Sequence, residues 1–364
     1  MTTDFGDRTR ESTGTRPVAT AHAFDEERLA SWMRKHIPGF CGPMQVDQFK
    51  GGQSNPTYRL RAGGKRYVLR RQPPGPLLPS AHAVDREDRL ITALQGSQVP
   101  VPHSFGLCMD PEVIGSMFYV MDYVDGRIFW DPSLPGFSPE GRAAIFDEMN
   151  RVVSELHSID PHEVGLSDYG KSGSYVERQV SRWTRQYRAA QTERIEAADL
   201  LMEWLPKYQP KEDRRRIVHG DYRLDNVVFH PVAPRIVAVL DWELSTLGEP
   251  LVDFAYHCLT WHMTSSEGRG IDGLDLKALG IPEESEYLRK YLVRSGRDPE
   301  SVSDFDWGYY LVLNMFRLVA ILQGVTARRL QGNASSDRAL EASRRTRPLA
   351  EQAWALAQRI DGLC

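Results

Sequence analysis

The spacing of apolar and polar residues divides the chain into two parts. Between about residues 44 and 71, apolar and polar positions alternate with a period of two, which is typical of β-strands. Gly63-Gly64 separates two of these runs and predicts a tight hairpin, because glycine accepts the positive φ that such turns need. Beyond Asp125-Gly126 the apolar positions recur mostly at helical spacing. The pattern therefore predicts an α+β, bilobal protein, with an N-terminal lobe built on an antiparallel sheet and a larger helical C-terminal lobe.

The predicted boundaries follow this division. We expect a mobile tail over residues 1–22, an N-terminal lobe over 23–122, a hinge over 123–126 and a helical C-terminal lobe over 127–364. In the first lobe the pattern predicts helices at 24–36 and 80–95 and strands at 44–50, 57–61, 65–71, 104–108 and 114–123. In the second lobe it predicts helices at 138–157, 174–191, 196–205, 250–262, 283–295, 302–324 and 334–360, with two short strands flanking residues 219–241.

Composition narrows the function classes. Hydrophobic residues form 41% of the 364, and the formal net charge of −4 lacks the basic excess that is typical of nucleic-acid binders. The four cysteines lie far apart in the sequence, so neither a CxxC metal knuckle nor a disulfide framework is predicted. Residues 1–22 are polar and lack the apolar run of a signal peptide. We therefore expect a cytoplasmic protein that does not bind nucleic acid.

The longest apolar stretch predicts a core helix. It runs from Tyr309 to Val325 and is interrupted by Asn314, Arg317 and Gln323. A helix that spans a membrane needs about 20 apolar residues with few charges. We therefore expect no membrane partner.

The segment His219-Gly220-Asp221-Tyr222-Arg223-Leu224-Asp225-Asn226 carries the strongest chemical signal. Its H-x-D-x-x-x-x-N spacing is that of a kinase catalytic loop, in which the carboxylate orients the attacking hydroxyl and accepts its proton. The amide oxygen of Asn226 is then placed to hold Mg²⁺. Fifteen residues further on, an apolar strand ends at Asp241, where a second metal ligand is expected. The spacing predicts a phosphotransferase with Asp221 as its catalytic residue and a metal site at Asn226 and Asp241.

Several segments extend this interpretation to a family. HGDYRLDN, VLDWE and GEPLVDFAYH resemble the aminoglycoside phosphotransferase and choline kinase group, a branch of the protein-kinase-like fold. GGQSNPTYRL, FYVMDYVDGRIF and RWTRQY are similar to the kinase domain that is fused to acyl-CoA dehydrogenase in family members 10 and 11. The resemblance covers roughly residues 24–350. It implies a kinase-like fold, ATP as co-substrate, Mg²⁺ as cofactor, a small-molecule hydroxyl acceptor and an association with acyl-CoA dehydrogenase pathways.

The resemblance also implies roles for residues of the N-terminal lobe. The loop at Gly51 would cover the nucleotide phosphates, and the segment joining the lobes would bind adenine. Arg70 stands where the wider fold has lysine, and it would pair with Glu87 and aim at the α- and β-phosphates. The implied nucleotide-binding residues are Gly51, Gly52, Ser54, Arg70, Glu87, Met121, Asp122 and Val124.

Three further positions of the C-terminal lobe take roles from the resemblance. Arg223 stands where protein kinases have a lysine that neutralises the transferred phosphoryl group, so we expect it to act with Asp221. Asp253 is implied to brace the catalytic loop. His219 is expected to bond to backbone near Asp241 rather than to act as a base.

A basic, aromatic segment suggests an acceptor site. Arg178, Arg182 and Arg185 fall at helical spacing with Trp183 and Tyr187 among them. A solvated basic face is the simpler interpretation. The alternative is a wall that recognises an anionic acceptor, because arginine binds phosphate and carboxylate bidentately.

The sequence leaves several functions open. The leading interpretation is a small-molecule kinase whose acceptor is a hydroxyacyl-CoA or a related metabolite. An aminoglycoside phosphotransferase is an alternative, and the ten acids against six bases in residues 263–306 would suit its polycationic substrate. A pseudokinase that binds nucleotide without turnover is another, supported by Arg70 in the place of lysine. A metal-dependent hydrolase lacks further ligands at suitable spacing.

Overall fold

The computed structural model describes residues 14–50, 55–73, 83–211, 214–264, 270–330 and 336–362, with 336–341 described by their backbone alone. Within these ranges the chain folds into two lobes, a sheet-rich one and a helical one.

The N-terminal lobe is built on one antiparallel sheet. Its strands are β1 Thr15–Arg16, β2 Gln45–Phe49, β3 Thr57–Ala62, β4 Lys65–Arg71, β5 Ser104–Cys108 and β6 Phe118–Asp122. They lie in the order β1-β2-β3-β4-β6-β5. Gly63 and Gly64 have φ values of 55° and 76°, so the predicted β3–β4 hairpin turn is confirmed.

Helices cover both faces of this sheet. They are α1 Glu26–His36, α2 Val84–Leu94 and the short α3 Pro111–Ile114. On one face α1 packs Leu29 and Met33 against Tyr58 and Leu60. The other face carries Val68, which packs with α2 in the cluster that continues into the C-terminal lobe. The sheet therefore presents its second face to the cleft between the lobes.

The connection between the lobes requires a glycine. A Cβ atom on Gly126 would lie 2.2 Å from the carbonyl oxygen of Phe229. The next residue, Arg127, exchanges two backbone hydrogen bonds of 2.8 Å with Phe229. This bridge attaches the segment that joins the lobes to a strand immediately after the catalytic loop.

The C-terminal lobe is mainly helical. Its helices are α4 Pro139–Ser158, α5 Tyr175–Ala189, α6 Glu196–Lys207, α7 Pro250–Cys258, α8 Leu276–Leu279, α9 Glu284–Arg294, α10 Asp304–Leu330 and α11 Ser336–Ile360. Its short strands are β7 Arg216–Val218, β8 Val227–Phe229, β9 Ile236–Val239 and β10 Thr246–Gly248. They pair antiparallel as β7 with β10 and β8 with β9. Because β7 and β8 flank residues 219–226, the two pairs hold the catalytic loop at both ends.

The helix α10 has the length and composition of a membrane span, and it was predicted as a core helix. Of its most apolar stretch of 18 residues, 67% is buried inside the protein. Tyr309, Val312 and Phe316 are fully buried in the main hydrophobic cluster. It is therefore the central helix of the C-terminal lobe, as predicted.

The structure differs from the predicted boundaries at several places. Four short strands rather than two lie around residues 219–241, and α10 continues to Leu330 rather than ending at 324. Residues 14–22 do not belong to a mobile tail, since Thr15–Arg16 pairs with β2 and the side chain of Gln48 contacts His22. Ile114 lies in α3 rather than in a strand, because Asp110 caps a short helix that Gly115 ends in the left-handed region. Helix α7 ends at Cys258, and residues 259–262 form a 3₁₀ turn.

Candidate functional site

The catalytic loop is held by backbone contacts that its sequence dictates. Gly220 has a φ of +83°, and a Cβ atom there would lie 2.7 Å from the carbonyl oxygen of Leu244. His219 Nε2 lies 2.9 Å from the carbonyl oxygen of Leu240, and its Nδ1 accepts the backbone N–H of Asp221. His219 thus uses both ring nitrogens for backbone contacts, as expected for an architectural residue.

Asp253 supports this loop by accepting hydrogen bonds from its backbone. Its two carboxylate oxygens accept the backbone N–H groups of His219 and Gly220 at 2.7 and 2.8 Å. His157 Nε2 lies 3.2 Å from the same carboxylate. Burial alone would raise the pKa of Asp253, but the donors of His157 and His219 outweigh it and the pKa is lowered. The buried carboxylate is therefore an anion that fixes the loop.

The side chains of Arg223 and Asn226 contact the Asp221 carboxylate. Arg223 makes two ion-pair contacts with it, each at 3.1 Å, from Nε to Oδ1 and from Nη2 to Oδ2. The amide nitrogen of Asn226 donates to Asp221 Oδ2 at 2.9 Å. Arg223 Nη2 also lies 3.3 Å from Asp225 Oδ2. These contacts fix the orientation of the carboxylate that was predicted to be catalytic.

Asp241 has an unusual backbone conformation. It is one of two non-glycine residues with positive φ in the described part of the chain, at φ 63° and ψ 61°. Aspartate tolerates this left-handed region better than most residues, and such conformations often occur at functional sites. The Asp241 side chain is 43% exposed, and its Oδ1 accepts a hydrogen bond of 2.7 Å from Arg70 Nη2.

Arg70 connects the two lobes. Its Nε forms an ion pair of 2.8 Å with Glu87 Oε2, while Nη2 reaches Asp241 and lies 3.7 Å from Glu243 Oε2. Lysine has one point charge, whereas the guanidinium can serve carboxylates on both sides at once. Arginine at this position thus links α2 to the end of β9.

The environment of Glu87 strongly perturbs the pKa of its carboxyl group. Its carboxylate accepts hydrogen bonds from Asn55 Nδ2 at 3.0 Å and from the Tyr119 hydroxyl at 3.2 Å. Burial raises the pKa of Glu87 to about 7, although Arg70 opposes the change. The nearby Asp241 adds to the increase. The acid is therefore held in place by the side chains of Arg70, Asn55 and Tyr119 at the back of the cleft.

The residues predicted to hold a metal fit Mg²⁺ chemically. Asn226 and Asp241 supply amide and carboxylate oxygens, and a backbone hydrogen bond of 2.8 Å from Leu240 to Asn226 keeps the two segments adjacent. No cluster of three or more His, Cys, Asp or Glu residues that could hold a metal occurs among the described residues. Mg²⁺ typically takes one or two protein carboxylates and completes its shell with phosphates and water. Such a site therefore needs the nucleotide to be complete.

The predicted nucleotide residues are only partly described. Gly51, Gly52 and Ser54 lie outside the described residues. Met121 is buried on the strand β6, opposite Val68 of β4.

The end of β6 limits how a base could bind. The backbone N–H of Asp122 already donates to the carbonyl oxygen of His103 at 2.9 Å. A base bound here would have to use other backbone groups of this segment, such as those of Val124.

The three arginines of α5 that the sequence singled out contact different partners. Arg182 lies with its Cζ 4.9 Å from the Trp183 ring centroid. Arg185 instead donates to Ser181 on its own helix, and Arg178 donates to the carbonyl oxygens of Ser172 and Gly173.

Tyr187 does not fit the substrate role that the sequence suggested. The side chain is fully buried, and its ring centroid lies 6.0 Å from that of Phe316. Val180, Trp183 and Tyr187 form the buried stripe of α5, so Tyr187 belongs to the core.

Two residues that the sequence did not indicate complete this region. Arg317 of α10 is 7% exposed, and its Nη2 donates to the carbonyl oxygen of Gly220 at 2.6 Å. Its Cζ lies 4.3 Å from the Tyr256 ring centroid and 5.4 Å from that of Trp183. The Tyr256 hydroxyl in turn interacts with Arg223 and Asp221. The available signal was a charged residue within the most apolar stretch of the chain.

A buried histidine behind the catalytic loop makes the fold sensitive to acid. Burial lowers the pKa of His257 from 6.5 to about 4, although Asp253 opposes the change. Its ring lies 5.5 Å from that of Tyr222, and Nε2 contacts the Tyr287 hydroxyl at 3.0 Å. The folded state therefore holds this histidine neutral.

We expect His257 to make the free energy of unfolding pH-dependent. The folded-state pKa lies below the unfolded one, so the stabilisation is complete above pH 6.5 and is lost as the pH falls through 4. At 1.36 kcal/mol per pKa unit, the loss is up to about 3 kcal/mol. Urea unfolding at pH 7 and pH 4.5 measures it. His257→Gln keeps a donor for Tyr287 and should lose less stability between these two values; an equal loss in both proteins would contradict the assignment.

Comparison with known proteins identifies the family of this chain. A profile of the phosphotransferase enzyme family matches residues 45–302. A solved structure from Ralstonia eutropha, provisionally described as an aminoglycoside phosphotransferase, is 51% identical in sequence. It superposes with a TM-score of 0.85 over 93% of this chain and 99% of that chain. Choline kinase from Cryptosporidium parvum, at 12% identity and a TM-score of 0.61, shares the fold.

The chain is also similar to part of longer proteins. Over 94% of its length it is 45% identical to acyl-CoA dehydrogenase family member 10 from Mus musculus and 42% identical to family member 11 from Rattus norvegicus. The chain spans only 32% and 44% of these two relatives. The profile match covers most of the chain and includes the catalytic loop, Asp241 and Arg70. The chain therefore belongs to the phosphotransferase enzyme family.

Proposed function

We propose that this protein is a kinase that transfers the γ-phosphoryl group of ATP, with Mg²⁺, to a hydroxyl group of an anionic small molecule. The observation that carries the choice of acceptor is a group of three arginines around the catalytic loop. Arg223 pairs with Asp221. Arg317 donates to the carbonyl oxygen of Gly220, and Arg182 lies with it near the Trp183 ring. We call this group the acceptor cluster.

The proposed chemistry follows from the donors around Asp221. A hydroxyl that approaches the carboxylate would be oriented by it and would give up its proton to it as the oxygen attacks the γ-phosphorus. The bond from that phosphorus to the bridging oxygen would break, and ADP would leave. Arg223 holds that carboxylate at both oxygens and lies where negative charge would develop on the transferred group. Asn226 and Asp241 would hold Mg²⁺, which when bound neutralises charge on the phosphates.

The acceptor cluster favours an anion over a cation. Arg317 Nε is buried and has no hydrogen-bond partner among the described residues. Partial desolvation of the guanidinium and the neighbouring charge of Arg317 both lower the pKa of Arg182, although the residue as a whole is exposed. Two guanidinium groups that repel each other, one with an unsatisfied donor, would be stabilised by a carboxylate or phosphate placed between them.

A hydroxyacyl-CoA is the specific acceptor class that we propose. Its acyl group carries the hydroxyl, and the phosphates of its coenzyme A part carry several negative charges. The similarity of this chain to segments of acyl-CoA dehydrogenase family members supports this choice, because fusion suggests that the two activities share a metabolite. On the same ground we propose that the protein works in one pathway with an acyl-CoA dehydrogenase.

An aminoglycoside is the second candidate acceptor, favoured by one cavity. This cavity of about 410 Å³ lies around Trp261 and the following segment and has four acids, Asp272, Asp275, Glu283 and Glu284, against one lysine. A polycation would find favourable charge there. The acceptor cluster beside Asp221 would repel the same molecule.

The test is a panel of acceptors with the purified protein, ATP and Mg²⁺, in which ADP release is measured. Hydroxyacyl-CoAs and aminoglycosides both belong in the panel. Phosphorylation of a hydroxyacyl-CoA is the expected result. Phosphorylation of aminoglycosides alone would overturn the proposed acceptor, and nucleotide binding without turnover on any hydroxyl compound would favour the pseudokinase alternative.

Removing one charge from the acceptor cluster is expected to act on the acceptor only. Arg182→Ala should raise KM for an anionic acceptor by about tenfold or more, because one charge-assisted hydrogen bond contributes about 1.5–3 kcal/mol. KM for ATP should remain nearly unchanged. Steady-state kinetics with each substrate varied in turn measures both values.

Arg185→Ala is the matched control for this variant. It removes the same charge from the same helix, but its side chain bonds to Ser181 and lies outside the acceptor cluster. A polycationic acceptor would bind Arg182→Ala more tightly, since a repulsive charge is lost. Equal effects of the two variants would mean that α5 contributes only a general positive potential.

A further inference from the structure

A second cavity, lined by positively charged side chains, lies beside the start of α5. It has a volume of about 270 Å³ and is lined by Lys171, Arg178 and Arg215 together with Tyr175, Leu247 and Gly248. No acidic side chain is among its lining residues. Three positive charges thus converge without a carboxylate, in a chain whose net charge is −4.

Two of these cations are held in place by backbone carbonyls. Arg178 Nη1 donates to the carbonyl oxygens of Ser172 and Gly173 at 2.7 and 2.5 Å. Arg215 Nη2 donates to that of Gly170 at 2.8 Å. Each guanidinium has five N–H donors, so these contacts orient the group and leave other donors available. A site with fixed donors loses little entropy when it binds an anion.

The cavity is joined to the catalytic loop through β10. A Cβ atom on Gly248 would lie 2.8 Å from ring carbons of Tyr175, so only glycine permits this close packing. The strand β10 pairs with β7, and β7 leads directly into His219. Arg215 precedes Asp221 by six residues, which limits their Cα separation to about 20 Å.

The cavity also adjoins the acceptor cluster along α5. Arg178 and Arg182 are four residues apart and therefore neighbours on one helix face. Tyr175 lies close enough to interact electrostatically with Arg317, Arg182 and Arg178. Arg178 of this cavity thus lies next to Arg182 of the acceptor cluster.

We infer that this cavity is a phosphate-binding subsite that holds a phosphate group of the acceptor, remote from its reacting hydroxyl. The inference rests on the proposed function in one respect, that the acceptor is a thioester of a phosphate-bearing carrier. It adds a specificity site: the protein recognises the carrier as well as the acyl group. An acceptor with the same acyl group but no phosphate would lose this contact.

Direct binding tests the subsite without any turnover. Adenosine 3′,5′-bisphosphate is titrated into the protein while a non-hydrolysable ATP analogue and Mg²⁺ saturate the nucleotide site. Lys171→Ala and Arg215→Ala should each raise the Kd of the bisphosphate by about tenfold, as expected for one charge-assisted contact. Arg188→Ala, an exposed arginine on the same helix outside the cavity, should leave the Kd unchanged. Equal Kd values in all proteins would overturn the subsite.

Kinetics with a truncated acceptor identifies the source of the phosphate. The same hydroxyacyl group is offered on coenzyme A and on pantetheine, which has no phosphate. Arg215→Ala should raise KM about tenfold for the first and leave KM for the second unchanged. Equal KM values for both thioesters in the wild-type protein would overturn the assignment to the acceptor, even if adenosine 3′,5′-bisphosphate binds the cavity.

The two proposals can fail separately. If no hydroxyacyl thioester is phosphorylated but the bisphosphate binding is lost in Lys171→Ala and Arg215→Ala, the proposed acceptor is wrong and the anion site stands. If thioesters are phosphorylated and the variants bind and react like the wild type, the proposed function stands and the subsite is wrong.

Discussion

Replacing Asp221 with asparagine is expected to lower kcat for phosphoryl transfer by about 10²–10⁴-fold, the range that a positioned general base contributes. Asparagine has the same shape, and its oxygen can still accept the amide N–H of Asn226. It cannot take a proton from the hydroxyl, nor balance the charge of Arg223. KM for ATP should change little, because Asp221 interacts with the acceptor. Single-turnover kinetics with saturating Mg·ATP measures the chemical step directly.

Asp225→Asn is the matched control for Asp221→Asn. Asp225 is the other carboxylate bound to Arg223, at 3.3 Å, and the substitution also removes one charge from the same group of side chains. If the main role of Asp221 were to hold Arg223, both variants would lose activity alike. If Asp221 accepts the proton, Asp225→Asn should retain most of the turnover. Retention of full activity by Asp221→Asn would contradict the catalytic assignment itself.

The catalytic loop was predictable because its chemistry is local in sequence. The spacing of His219, Asp221 and Asn226 fixes the loop, and apolar residues on both sides supply the short strands that hold its ends. Asp241 could be found in the same way, since it ends an apolar strand. Its left-handed conformation could not be predicted, because it follows from the tertiary contacts of the turn after β9.

The acceptor cluster could be predicted only in part, since its members come from distant segments. Arg223 and Arg317 are 94 residues apart in the sequence, and both come close to Tyr256 because α10 packs through the centre of the lobe. The basic positions of α5 were visible in the sequence. Which of them faces the cluster depends on the phase of the helix: Val180, Trp183 and Tyr187 form its buried stripe. That phase brings Arg182 next to Trp183 and Arg317, and it leaves Tyr187 in the core.

Asp241→Asn is expected to weaken nucleotide binding when Mg²⁺ is present but not when it is absent. Asparagine tolerates the left-handed conformation and keeps an oxygen for Arg70, so the local structure should persist. The lost negative charge has two opposite consequences. With Mg²⁺ present, a ligand of the metal is weakened, and the affinity for a non-hydrolysable ATP analogue should fall by about tenfold or more.

Without Mg²⁺ the same variant should bind the analogue at least as tightly as the wild type, because Asp241 no longer repels the phosphates. Glu243→Gln separates this role from a simple effect on Arg70. Glu243 is the other carboxylate beside the Arg70 guanidinium at the end of β9, at 3.7 Å, and its substitution also removes one charge. If Asp241 acted only through Arg70, both variants would respond alike to Mg²⁺. If Asp241 binds the metal, only Asp241→Asn loses the gain in affinity that Mg²⁺ gives. Calorimetric titrations in EDTA and in Mg²⁺ decide between these outcomes, and an unchanged Mg²⁺ dependence in Asp241→Asn would move the metal to other residues.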